Sequence, residues 1–148
     1  MYRHILVPTD GSKLAAKGVR AGVRLAAALG AKVTGVCVIP PYVPPMYGEG
    51  IVYVPGRSPS EYRRISAAHA KKALAVVEVE AQAARIPYAT RFLAGQQPWQ
   101  AILKTARARK CDAIVIASHG RGGLGGLILG SETTHVLANS KLPVLVVR

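Results

Sequence analysis

Aromatic residues are scarce: Tyr, Phe and Trp together make up 5% of the 148 residues, with one Phe and one Trp. That poverty argues against a sandwich built on large rings and favours short aliphatic strands under Ala-rich helices. Cysteine is rarer still, and Cys37 and Cys111 each sit inside an apolar, strand-like run. A disulfide framework is thereby excluded, and each thiol is expected to act as a small buried hydrophobe. Acid is also in short supply, with 7 Asp plus Glu against 20 Lys plus Arg and a formal charge of +13. The basic residues are scattered over the helical stretches, no run exceeds two, and no aromatic–basic interleaving accompanies them. A nucleic-acid partner is therefore not expected. No segment approaches the roughly 18 uninterrupted apolar residues of a membrane span, and MYRHILVPTDGS lacks the apolar stretch of a secretion signal. The expected location is the cytoplasm, without membrane attachment.

What is present points to one folded unit. Half of the residues are apolar and 18% are charged, which excludes intrinsic disorder, and the length fits a single domain over residues 1–148. Residues 3–7 (RHILV) form a β-branched run closed by the turn and cap residues Pro8-Thr9-Asp10-Gly11-Ser12. Ser12 caps a segment whose apolar residues keep helical spacing until Gly30 stops it. Residues 32–39 (KVTGVCVI) read as a second strand. Periodicity then disappears between Pro40 and Ser60, which hold six of the ten prolines and three tyrosines. A loop of this length is a lid, a docking surface or a disordered segment. Helical spacing returns over 61–85, a weaker strand covers 87–93, and a helix with Pro98 near its first turn runs to about residue 109. Residues 112–117 (DAIVIA) have the unbroken apolar character of a strand covered on both faces. A helical pattern from Leu127 to Ser140 and a strand over 142–147 complete the chain. This alternation predicts an α/β fold: an open, five-stranded parallel sheet with helices on both faces.

In such sheets ligands bind beyond the carboxyl ends of the strands, where the strand order reverses. Two loops qualify, Pro8 to Gly11 after the first strand and Ala117 to Gly126 after the fourth. The second has five glycines between Gly120 and Gly126 and no carboxylate from Asp112 until Glu132. Exposed backbone N–H groups and a helix beginning at Leu127 would suit a phosphate, although the same glycines fit a flexible linker. On this reading Gly120 and Gly130 leave room for phosphates, and valine at either would block binding with the fold intact. Neither G-x-x-x-x-G-K-[ST] nor G-x-G-x-x-G is present. Asp10, the only acid among the first 48 residues, is a ligand contact or an Asx-turn residue. Ser118 and His119 adjoin in sequence, which by itself creates no nucleophile–base pair, and the four histidines lack metal-ligand spacing. Trp99 is expected to pack a helix start.

ILVPTDGS at the start, ASHGRGGLGGLILGSETTHVL in the last third and the terminal PVLVV resemble the universal stress protein family along essentially the whole chain. Its nucleotide-binding branch carries G-x-x-G, nine residues, then G-[ST]. Here Ala117-Ser118-His119-Gly120 is followed by nine residues and Gly130-Ser131, with Ala117 in place of the first glycine. The resemblance implies a Rossmann-like fold of the adenine nucleotide alpha hydrolase type that binds ATP, with or without Mg²⁺; because the residues offer a phosphate cradle but no general base, hydrolysis is expected to be slow or absent. It implies that Pro8, Thr9 and Asp10 border adenine and ribose, with Asp10 on the ribose or metal side. Val38 would pack near adenine, Ile116 and Ala117 would line the ribose side, and Gly120, Gly130 and Ser131 would hold the phosphates. It also implies a homodimer through residues 144–147, an all-apolar strand with no charge of its own to blunt an exposed edge. The alternative is a dimeric interaction protein of the same fold that binds no nucleotide and acts through its basic surface or its proline-rich loop.

Overall fold

The structure, a computed structural model, describes residues 1–44, 58–119 and 129–148. The elements are β1 (His4–Pro8), α1 (Lys13–Leu29), β2 (Lys32–Ile39), α2 (Pro59–Ala83), β3 (Tyr88–Ala94), α3 (Pro98–Ala108), β4 (Ala113–Ala117), α4 (Ser131–Asn139) and β5 (Val144–Val147). Every strand pairing is parallel, and the sheet order is β3-β2-β1-β4-β5. The chain therefore builds outward from β1 in one direction, then returns to its other side with β4. That reversal is the switch point the sequence pattern called for.

Alternation along β1 separates two cores. Ile5 and Val7 face α1 and α2 and pack with Val19, Val23, Val33, Val77 and Val115. Leu6 faces α3 and α4, joining Val36, Ile102, Ile114, Ile116 and Val136. Each such side chain withdrawn from water contributes about 1.5–3 kcal/mol before the entropy of ordering is subtracted. Close seating of α2 depends on Gly35, where a Cβ would stand 2.7 Å from a Val77 γ-carbon. Both cysteines are buried and neither is in a disulfide, as their apolar surroundings predict.

The capping chemistry follows the sequence. Ser12 Oγ accepts the Ala15 N–H at 3.0 Å, and Gly30 closes α1 in the left-handed region at φ +64°. Helices α2 and α3 close the same way without glycine. Arg85 and Lys110 each take φ +54°, while the Ile86 and Cys111 N–H groups return to Ala81 O and Ala106 O at 3.1 and 2.8 Å.

One boundary needs correction. Leu129 and Gly130 are outside the helix, and α4 starts at Ser131 with Gly130 as its N-cap. The apolar run before Gly130 mimics helical spacing, but the Gly130 N–H is spent on Ser118 O at 2.8 Å. The positive end of the helix is therefore at Gly130-Ser131 itself.

Candidate functional site

The loop after β1 is held in place by its own side chains. Thr9 N–H bonds Val36 O at 2.9 Å, and its buried hydroxyl accepts the Gly11 N–H at 3.2 Å, with Gly11 at φ +79°. The Asp10 carboxylate accepts the Ser12 N–H at 2.9 Å, an Asx turn, and His69 of α2 bonds the Asp10 carbonyl at 2.7 Å. Asp10 thus fills the structural role and still borders the open cleft.

The opposing lip is the end of β4 tied to the first turn of α4. Ser118 N–H bonds Val147 O at 2.7 Å, and the Thr133 hydroxyl donates to Ala117 O at 2.8 Å. Ala117 itself is packed under α1: a Cβ on Gly18 would come within 3.2 Å of the Ala117 nitrogen. Contrary to the sequence expectation, Ser118 Oγ and His119 Nδ1 lie 3.2 Å apart. Ser118 is nevertheless 5% exposed and does not border the cleft, so the pair presents no nucleophile to a ligand.

Between the lips lies an open cleft of about 120 Å³, smaller than the roughly 300–1,000 Å³ of closed small-molecule sites. Pro8, Thr9 and Asp10 form one side, Ile116, Ala117 and His119 the other, and Val36 and Val38 lie along β2. Six residues expected from the sequence, Pro8, Thr9, Asp10, Val38, Ile116 and Ala117, are therefore brought together. Gly130 and Ser131 stand beside the cleft at the start of α4 without lining it. Gly120 lies outside the described residues. The room expected at Gly130 is also corrected. A Cβ there would meet the His119 Cα at 3.0 Å, so its missing side chain makes way for backbone.

Sequence reasoning missed the contribution of α3 and α4. Pro98 and Ile102 supply an apolar wall, and Glu132 and Thr133 supply polar groups. Glu132 Oε2 accepts the Trp99 N–H at 2.7 Å, and the Trp99 ring stacks on His135 with centroids 5.4 Å apart, so Trp99 does pack its helix start. The readable signal for Glu132 was its place as the first acid after a glycine-rich stretch. Apolar walls interrupted by carboxylate, hydroxyl and imidazole groups suit a flat, partly apolar ligand with polar substituents. No group of three or more His, Cys, Asp or Glu side chains among the described residues could hold a metal ion by itself.

The shifted titrating groups lie at the other end of the sheet. Burial and the neighbouring Asp112 push the Cys111 thiol up to about 11. Burial and the Lys32 charge lower the pKa of His4, whose Nε2 is 2.7 Å from Thr34 Oγ1. Burial opposes ionisation of Asp112, but hydrogen bonds from the Arg3 and His4 N–H groups outweigh it and hold the carboxyl below its ordinary range.

A parallel sheet covered on both faces, with an open cleft at the switch point between β1 and β4, defines a doubly wound α/β protein. The family model described as the universal stress protein family matches residues 1–148, and the chain belongs to that family. A universal stress protein of Thermus aquaticus is 32% identical over 148 residues, covering 100% of both chains. The universal stress protein UspA of Lactobacillus plantarum superposes with a TM-score of 0.78 at 25% identity, covering 99% of this chain and 98% of its own. A universal stress protein solved in complex with cAMP gives a TM-score of 0.68 at 24% identity, covering 99% of this chain and 97% of its own. One from Archaeoglobus fulgidus, solved with dAMP, gives 0.69 at 21%, covering 99% and 98%. Among the described residues no helix is long and apolar enough to cross a membrane.

Proposed function

We propose that this chain binds ATP or a related adenine nucleotide in the cleft between β1 and β4, with little or no hydrolysis. The observation that carries the reading is the meeting of Pro8, Thr9 and Asp10 with Val38, Ile116 and Ala117 around one apolar-walled opening at the switch point. Neighbours of the same fold were solved with cAMP and dAMP, which agrees with that choice of ligand class. The adenine would lie against Val38 and Pro8 and the ribose beside Ile116 and Ala117. Asp10 meets a ribose hydroxyl or the metal side of the phosphates. Gly120, Gly130 and Ser131 belong to the phosphate end, with Gly130 there fixing the turn into α4 because its own N–H is bonded to Ser118 O. Mg²⁺ would arrive with the nucleotide. Hydrolysis needs a group that draws a proton from water; the one imidazole at the cleft, His119, has its Nδ1 within 3.2 Å of Ser118 Oγ.

The whole of residues 1–148 acts as one cytoplasmic unit in this reading, paired with a second copy through β5. That strand is an edge of the sheet, and Leu145 on it is 49% exposed. Thermal melting with and without ATP–Mg²⁺ tests the ligand. A nucleotide at 100 times its Kd adds about 2.7 kcal/mol, or about 5–11 °C for a domain of this size. No shift with ATP, AMP or cAMP would leave the interaction protein acting through its basic surface or proline-rich loop as the better reading.

A further inference from the structure

Glu132 is the second residue of α4, yet its carboxylate serves α3. Its Oε2 accepts the N–H of Trp99, the second residue of α3, at 2.7 Å, while Gln97, the N-cap of α3, makes no side-chain cap bond. Glu132 thus supplies from a neighbouring helix an acceptor that α3 lacks at its own start. The carboxylate stands at the amino ends of both helices, where both dipoles favour negative charge. His135, three residues further along α4, stacks on the Trp99 ring with centroids 5.4 Å apart and planes inclined by 24°. Backbone and ring of Trp99 are therefore both gripped from α4, and Glu132 cannot swing away without opening that clasp.

The same carboxylate borders the cleft. Among the described residues lining it, Asp10 is the other acid and there is no Lys or Arg, in a chain with formal charge +13. A phosphate approaching the start of α4 consequently meets a fixed negative charge already seated in the helix field. We propose that Glu132 is a specificity-determining residue that discriminates against nucleotides carrying more phosphate charge, tilting the site from ATP toward AMP and adenosine. This rests on the adenine reading of the cleft and says which members of that class it admits.

The test is titration calorimetry of the parent and Glu132→Gln with adenosine, AMP and ATP. Glutamine keeps a carbonyl oxygen for the Trp99 N–H, and Trp99 fluorescence reports whether the clasp is retained. The ratio of ATP to adenosine affinity should rise about three- to tenfold in Glu132→Gln. That gain should shrink when salt is raised to about 0.5 M, as screening requires. A ratio unchanged within twofold, with Trp99 emission unaltered, overturns the proposal while leaving the adenine reading intact. If Glu132→Gln does not fold, Glu132→Ala is read in the same way, and an ATP-to-adenosine ratio in it unchanged within twofold overturns the proposal. Absence of binding by all three compounds to a folded parent overturns the adenine reading and this inference with it.

Discussion

Replacing Gly130 by alanine isolates a steric requirement from a conformational one. Gly130 has φ −63° and ψ 153°, a backbone region open to any residue. Losing glycine's freedom in the unfolded chain should therefore stabilise the fold by about 0.4–1 kcal/mol. Against this stands the new methyl, which would lie 3.0 Å from the His119 Cα, 3.2 Å from its Cβ and 3.5 Å from Ser118 O. An α-carbon cannot rotate aside as a flexible side chain can. The contact is tightened by the Gly130 N–H bond to Ser118 O and the Thr133 bond to Ala117 O, both 2.8 Å, which draw α4 against the end of β4. Relief requires α4 to retreat by a few tenths of an ångström, and overpacking of this kind costs about 1–3 kcal/mol. The net expectation for Gly130→Ala is a loss of about 1.5 kcal/mol, read by urea titration, with Tm lowered by about 3–6 °C. Adenosine affinity should fall too, because the turn that shifts holds Thr133 and Glu132 in the cleft wall. Gly30 supplies the contrast: at φ +64° nothing lies within 4 Å of a Cβ, so asparagine, which tolerates that conformation, should be milder than alanine there. At position 130 asparagine should be worse than alanine. A Gly130→Ala protein as stable as its parent would refute the steric argument.

Other consequences can be measured separately. Arg85→Gly and Lys110→Gly should each stabilise by about 0.5–1 kcal/mol, because both side chains sit at φ +54° where glycine has no Cβ strain; equal or lower stability in urea would contradict this. Stability should decline as pH falls from 7 toward 5, since the unfolded chain protonates His4 near its ordinary 6.5 while the folded chain resists until lower pH. His4→Gln should flatten that slope, and an identical slope in the variant would assign it elsewhere. For the proposed dimer the informative position is Leu145, 49% exposed, because Val146 packs toward the α3–α4 core and a charge there would disturb folding. Leu145→Lys should give a monomer in light scattering with little change in Tm, and a parent already monomeric near 15.6 kDa would end the proposal.

Much of the fold was legible because its signals are local. Ser12 and Gly30 announce the limits of α1 through cap chemistry, and KVTGVCVI coincides with β2 because its β-branched run is bounded on both sides. The loops after β1 and β4 could be singled out from their Asp, Thr and Gly residues alone. The start of α4 could not, because Leu127 and Leu129 continue a helical spacing while the hydrogen bond that fixes Gly130 as N-cap comes from Ser118. Nor could the Ser118–His119 contact be read from adjacency, since it depends on side-chain geometry at the end of β4. The sequence by itself determined which segments are strands and helices and which apolar residues alternate along them. Only the tertiary structure decided that α3 closes the cleft with Pro98 and Ile102, that Glu132 reaches across to Trp99, and that Leu145 rather than Val146 faces outward. The reason is physical: strand and helix periodicity are set by neighbours a few residues away. Which face of the sheet a helix covers, and which distant carboxylate satisfies its first N–H groups, is settled when β4 returns to pair beside β1.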